Sequence, residues 1–283
     1  MELSELVGYE LGKRTISYVE RDAILYALTV GASSSETDLV YERDLRVLPT
    51  YACALGLWVV EAAGELGAYD RNYSLHASQS LEVFLPLPKS GNFETSGKIT
   101  GVWDKGKAAL LDIEVECKYF RALYGIFLPG LGGWGGKRAG TSGVTETSDA
   151  SSASVTTDEE SGKSWSGSFA TSLEQAALYR LTGDLHPIHI DPEVAQANNF
   201  SKPILHGLCT LGIAARMMAE SVEVHPVELT KLSARLAAPV SPGDVLEVRA
   251  NKTHTGSSGL SGLNFEAVVG STTVLKGGRA AFC

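Results

Sequence analysis

LYRLTGD, Leu178–Asp184, is a stretch the chain has used once before: LYALTVGA occupies Leu25–Ala32. The offset from Leu25 to Leu178 is 153 residues, and it recurs between Pro86 in LPLP (Leu85–Pro88) and Pro239 in APVSPGD (Ala238–Asp244). Between these anchors LPTYACALG (Leu48–Gly56) matches LHGLCTLG (Leu205–Gly212) with a small shift. Preserved spacing within two segments reads as an internal duplication. The segment from Gly140 to Ser168 is rich in Ser, Thr, Gly and acids and poor in large apolar residues, so it reads as a linker that cannot bury enough surface to order itself. The expected organisation is therefore a first half over 1–139, a linker over 140–168 and a second half over 169–283.

Each half runs from a helix or turn, through a long apolar helix, into strands. LCTLGIAARMMAE (Leu208–Glu220) follows a glycine, is rich in Ala, Leu and Met, and has helix length. VLEVRANKTH, LSGLNFEAVV and TTVLKGGRAAF are β-rich runs separated by Gly/Ser turns. In the first half FETSGKITGVW and AALLDIEVECKYF flank the turn Asp104–Gly106. One long helix wrapped by an antiparallel sheet, twice over, is an α+β architecture.

Composition bounds the function. Of the 283 residues 44% are hydrophobic, enough for a sizeable core, and the net charge of −9 argues against a general nucleic-acid or membrane-surface binder. An anionic ligand would need a local basic patch. Cys53, Cys117, Cys209 and Cys283 include no close pair, which points to neither a zinc ribbon nor a disulfide framework and to a reduced, intracellular, soluble protein. The N-terminus lacks a secretory pattern, and the apolar run Tyr51–Val60 is too short to cross a bilayer. The ending RAAFC matches neither a Ser-Lys-Leu address nor a prenylation box, leaving peroxisomal, mitochondrial and cytoplasmic locations open.

Chemistry concentrates in LTGDLHPIHIDP, Leu181–Pro192. Asp191-Pro192-Glu193 reads as a helix start, with an N-cap aspartate, proline at the first position and an acid in the first turn. Asp184 and His189 have no such structural explanation. Asp184 falls opposite Ala32 of the first half, and His206-Gly207 falls opposite Pro49-Thr50, which suggests a working half and a structural or binding half. His186, His189 and His206 with an acid could form a zinc set, but His-x-x-His through a proline is not the i, i+4 spacing that presents two imidazoles on one helix face. An acid/base pair is the stronger reading.

The segment YRLTGDLHPIHIDPEVAQANNFSKPILHGLCTLGIAAR, Tyr179–Arg216, resembles the signature of the hydratase-2 or MaoC-like enoyl-CoA hydratases: Tyr, an apolar residue, Ser/Thr-Gly-Asp-x-Asn-Pro-apolar-His. VLPTYACALGLW, FLPLPKSG and LPGLGGWGGKR (Leu128–Arg138) resemble the first half of the double-hotdog hydratases found in peroxisomal multifunctional β-oxidation enzymes. The resemblance implies a double hotdog, two long helices each wrapped by a curved antiparallel sheet. It implies hydration of trans-2-enoyl-CoA to (3R)-3-hydroxyacyl-CoA, with no metal or organic cofactor and an acyl-CoA as the partner. The family's catalytic dyad falls on Asp184 and His189, and its enolate-stabilising backbone N–H, just before the long helix, falls on Gly207.

The residue chemistry agrees. Adding water needs one group to take a proton from water and another to deliver one to the α-carbon, and a neutral imidazole can accept near physiological pH. His189 is then the base and Asp184 the acid that holds the water, acting as a coupled pair. The sequence departs from the signature where His186 stands for Asn, and His186 is expected to keep an orienting role. Lys137, Arg138, Lys202 and Arg235 are the candidate cations for the coenzyme phosphates. The first half, lacking the dyad, is expected to accommodate the acyl chain. Other functions compatible with the same fold are a non-catalytic acyl-CoA or acyl-carrier-protein binder and a thioesterase, and both monomer and homodimer fit.

Overall fold

Strict alternation in GNFETSGKITGVWD makes β3 (Gly91–Asp104), with Phe93, Thr95 and Ile99 turned inward and Asn92, Glu94 and Ser96 facing water. The computed structural model describes residues 2–138, 164–253 and 261–283 and places β3 in a ten-stranded sheet. The other strands are β1 (Glu10–Tyr18), β2 (Leu75–Val83), β4 (Ala108–Glu116), β5 (Phe120–Pro129), β6 (Ser164–Ala170), β7 (Leu229–Leu236), β8 (Val245–Thr253), β9 (Ser261–Val269) and β10 (Thr272–Phe282). Their order is β1-β3-β4-β5-β2-β7-β10-β9-β8-β6, and every pairing is antiparallel. From the outer edges inward the two halves read β1-β3-β4-β5-β2 and β6-β8-β9-β10-β7, the same order twice. They meet at the β2–β7 seam, where Ser78 lies opposite Arg235 and Leu81 opposite Leu232. Leu85–Pro88 and Ala238–Asp244 both follow the seam strand of their half, so the repeat seen in sequence occupies matching connections.

The helices are α1 (Glu20–Thr29), α2 (Thr37–Val40), α3 (Tyr51–Leu55), α4 (Trp58–Glu65), α5 (Gln175–Tyr179), α6 (Pro192–Ala197) and α7 (Gly207–Ser221). Leu208, Cys209, Thr210, Leu211, Ile213, Ala214 and Met218 are all buried, so α7 is enclosed nearly all round, as a helix wrapped by a sheet must be. The first half's counterpart comes in two pieces. Leu57 N–H bonds Ala54 C=O and Val60 N–H bonds Leu57 C=O, so the path tightens to a 3₁₀ turn at Gly56-Leu57. A Cβ on Gly56 would stand 2.6 Å from both Tyr124 Oη and Val115, so β4 and β5 press close at the break. The helix starts set His206 opposite Thr50, one residue from the sequence pairing with Pro49.

The second half also closes α1. The exposed carbonyls at a helix C-terminus need donors. Gln175 Nε2 donates to Thr29 C=O at 2.5 Å, and the Arg216 guanidinium donates to Val30 C=O (3.2 Å), Gly31 C=O (2.6 Å) and Glu36.

Composition set the linker's end too late. Residues 164–168 belong to β6, paired with β8 from Ser164–Asn251 to Ala170–Val245. The serines there face water, and the intervening Trp165, Gly167 and Phe169 turn inward, a period-two pattern masked by small polar residues. The rest of the expected linker, 140–163, lies outside the described residues. All four cysteines are unpaired, and burial pushes the Cys53 thiol up to about 12. Among the described residues no helix is long and apolar enough to cross a membrane.

Candidate active site

The loop between α5 and α6 is built to hold Asp184 and His189 still. A 3₁₀ turn over Arg180–Thr182 ends at Gly183, whose φ of 135° is open to glycine and hardly to other residues. Asp184 Oδ1 then accepts from His186 N–H at 3.2 Å. His186 Nδ1 accepts from Ile188 N–H at 3.2 Å and so caps the 3₁₀ turn Pro187–His189 that carries His189. An asparagine would offer its side-chain oxygen in the same kind of bond, which explains how histidine fits the signature position. Asp191 is the expected N-cap of α6, accepting from Glu193 and Val194 N–H.

His189 Nδ1 lies 2.8 Å from the Ile204 carbonyl, to which it can only donate, so Nε2 carries the lone pair. That Nε2 is 4.0 Å from Asp184 Oδ2. The separation is too long for a direct hydrogen bond and matches two groups that share one oxygen between them. The side chains are 12% and 19% exposed, respectively, so solvent reaches the pair from a narrow side. Burial pushes the His189 pKa below its ordinary value, outweighing the Asp184 charge and the Ile204 carbonyl that favour protonation.

His206 completes the cluster. It is 1% exposed, its Nε2 donates to the Asp184 backbone carbonyl at 3.1 Å, and its ring stacks on His189 with centroids 3.6 Å apart and planes at 24°. Burial first, then the neighbouring His189, pushes its pKa down to about 3. Asp184, His189 and His206 bring three ligand-type atoms within 4.8 Å of one another. The two imidazoles are stacked, however, so their lone pairs lie in nearly parallel planes and do not converge on one point close to both rings. Directly after His206, Gly207 opens α7, and its N–H is one of those at a helix start without an intrahelical acceptor. A Cβ on Gly207 would stand 2.5 Å from Leu236 Cδ1, so any larger residue here would have to push the Leu236 side chain aside.

Two charged or titratable residues that sequence patterns passed over stand near the pair. His76, on β2 of the first half, lies opposite the buried Ile126, and the register shift between His76 and Ser78 marks a bulge that aims it inward. Its Nε2 donates to Ser78 C=O at 3.0 Å, its ring is 5.8 Å from that of Tyr124, and the Asp184 charge acts on it. Arg180 lies within electrostatic reach of His189 and His206, and its Nε is buried without an acceptor among the described residues. A bulge and a tertiary approach leave no local pattern in sequence. Next to His186 opens a cavity of about 390 Å³, lined from the first half by Gly64, Tyr69, Asp70, Arg71 and Asn72 and from the second by His186 and Pro187.

The candidate phosphate cations do not gather. The Lys137 carbonyl accepts from Asp104 N–H and the Arg138 carbonyl from Lys105 Nζ, in a glycine-rich loop folded round Asp104. Asp104 accepts from the N–H groups of Gly106, Gly133, Gly135 and Gly136, led by the Gly133 bond, and is held at a pKa of about 2. Those N–H groups serve an internal carboxylate. Lys202 is exposed two residues before Ile204, whose carbonyl bonds His189 Nδ1. Arg235 alternates with the inward Ala234 and Leu236, so it lies on the sheet face turned away from α7.

A family model described as MaoC like domain matches residues 152–274, and one described as MFE-2 hydratase 2 N-terminal domain matches 16–122. The peroxisomal multifunctional enzyme type 2 of Mus musculus is 36% identical over 85% of this chain, which spans 34% of that protein. The chain belongs to the MaoC-like hydratase 2 family. A probable enoyl-CoA hydratase 2 of Dictyostelium discoideum is 32% identical, covering 87% of this MaoC-like chain and 86% of its own. The peroxisomal enoyl-CoA hydratase 2 of Arabidopsis thaliana is 33% identical, over 85% and 84%. The crystal structure of a MaoC-like dehydratase from Phytophthora capsici superposes with a TM-score of 0.80 at 26% identity, covering 100% of this chain and 98% of that one. A Mycobacterium tuberculosis protein described as a double hotdog matches with a TM-score of 0.65 at 15% identity, covering 100% and 98%; it supports the double-hotdog fold.

Proposed function

We propose that this chain adds water to a trans-2-enoyl-CoA to give the (3R)-3-hydroxyacyl-CoA, and runs the reverse dehydration, with Asp184 and His189 as its catalytic dyad. The observation that carries the reading is the 4.0 Å separation of Asp184 Oδ2 and His189 Nε2, with the Ile204 carbonyl fixing the tautomer that leaves Nε2 free to accept. Names of relatives that align over most of the chain support the substrate class. The pathway inferred is fatty-acid β-oxidation or related acyl-CoA metabolism.

Water held between the two groups gives a proton to His189 Nε2 as its oxygen bonds to C3. The electron pair of the C2–C3 double bond moves towards the thioester, and the resulting enolate takes a proton at C2 from the dyad, which ends as it began. Acid/base help of this kind is worth about 10²–10⁴ in rate. The enolate oxygen is assigned to the Gly207 N–H, where the α7 start adds positive potential. His186 is assigned the positioning of the His189 turn through its cap. The first half takes the acyl chain or the pantetheine arm, a role supported by its contribution to the cavity beside His186. Of the cations, Lys202 is the one retained for the coenzyme, by its place beside Ile204.

The test is incubation with crotonyl-CoA and longer enoyl-CoAs, following loss of the enoyl-thioester absorbance and release of free thiol. Loss of absorbance without thiol supports the hydratase, thiol release would make the protein a thioesterase, and no change at any chain length would make it a binder.

A further inference from the structure

Neither the acid/base chemistry nor the start of α7 accounts for His206. A polar residue at a helix start ordinarily caps it from the surface. His206 makes no side-chain cap bond and is 1% exposed. Burying an imidazole is unfavourable unless its polar atoms are matched, and here one nitrogen is matched only by the backbone of Asp184, at 3.1 Å, while Nδ1 has no donor among the described residues. One ring face carries His189 at 3.6 Å, and the Tyr179 ring lies 4.8 Å away. The side chain therefore touches both members of the dyad, through the backbone of one and the ring of the other.

We propose that His206 is a positioning residue that sets the separation of Asp184 and His189, its hydrogen bond fixing where the Asp184 backbone sits and its stack fixing the plane of the His189 ring. The inference rests on the dyad reading above. The brace is anchored at the residue directly before a buried 15-residue helix. It also ties the dyad to Gly207, the next residue, so the group proposed for the enolate and the groups proposed for the protons share one support. The titratable and charged groups around His206 are His189, Asp184, Arg180 and Tyr179. With burial keeping it neutral, His206 adds no second positive charge when His189 takes a proton.

Two substitutions separate the contacts. His206→Gln keeps an N–H near the position of Nε2 and removes the stack; His206→Phe keeps a ring and removes the donor. Both are measured in the full chain with crotonyl-CoA for kcat, KM, the pH profile of kcat/KM and Tm, beside His189→Gln. A misplacement of about 1 Å in a reacting group costs on the order of 10²-fold, so kcat is expected to fall about 10- to 100-fold in each variant, with KM within about twofold. In His206→Gln the acid limb of kcat/KM is expected to move up towards the ordinary histidine value of about 6.5. Wild-type kcat with an unmoved acid limb in His206→Gln would overturn the proposal, as would a loss of activity that only follows the folded fraction. Gln is no larger than His, so the test stands even where the bulkier Phe unfolds the chain. Near-wild-type turnover in His189→Gln would instead remove the dyad itself, and the two failures are thus distinct.

Discussion

The two halves share strand order, seam and helix start, yet they spend the helix start differently. In the second half His206 and Gly207 lead into one unbroken helix and the loop before it carries Asp184, His186 and His189. In the first, Thr50 precedes a helix that tightens at Gly56, and the residue aimed inward is His76, from a bulge in the seam strand. On the function proposed above, the duplicated scaffold carries its reacting groups in the copy with the unbroken, enclosed helix, and the other copy supplies a wall. A cavity lined by Tyr69–Asn72 from the first half and by His186 and Pro187 from the second lies where the two halves face each other.

The comparison is broken most directly at the dyad. Asp184→Asn and His189→Gln are each expected to cut kcat by about 10²–10⁴ with Tm close to wild type, whereas His76→Ala in the first half is expected to change KM or chain-length preference more than kcat. Steady-state kinetics with short and long enoyl-CoAs reads both. A His76→Ala variant as inactive as the dyad variants would contradict the division of labour.

A second difference is electrostatic. His206 has a folded pKa of about 3, below its unfolded value of about 6.5, so the unfolded chain binds the extra proton between those values. Its contribution to stability is present above about pH 6.5 and is lost as pH falls towards 3, up to about 5 kcal/mol. Replacing it with Gln should flatten the acid side of the Tm–pH curve, as calorimetry would reveal; an unchanged acid limb would contradict the burial argument.

Smaller effects sharpen the roles of single residues. His186→Ala removes the cap on Ile188 N–H and should cost about 1 kcal/mol together with several-fold in kcat, while His186→Asn should retain most of both. Equal behaviour of the two in denaturation and kinetics would remove the cap from the account. Gly212→Ala places a Cβ 2.7 Å from Val30 and 2.9 Å from Tyr26 Oη, and the overpacking should cost about 1–3 kcal/mol without changing the pH profile.

Much of this is legible in the sequence itself. The repeat offset fixed the matching connections, the Asp104–Gly106 turn marked a hairpin, and Asp191-Pro192 marked a helix start because capping is local. Asp184 and His189 stood out for being polar groups with no local task. What stayed hidden depends on contacts between distant segments. His76 is turned inward by a bulge, His206 reads as a possible metal ligand until its stack on His189 is seen, and Arg235 looks useful until strand alternation sets it on the far face. Lys137 and Arg138 looked like phosphate cations, but the glycine-rich run before them folds round Asp104, to which its N–H groups turn. β6 hid among serines because Trp165 and Phe169 are spaced by small residues.

The central claim is that Asp184 and His189 pass a solvent proton to C2 while water bonds to C3. Hydration of crotonyl-CoA in D₂O, with the product analysed by chiral chromatography and mass spectrometry, tests it in one measurement. The expected product is (3R)-3-hydroxybutyryl-CoA carrying one deuterium at C2, formed by the wild-type chain and lost in Asp184→Asn. A (3S) product, or the same yield from the Asp184 variant, would contradict it.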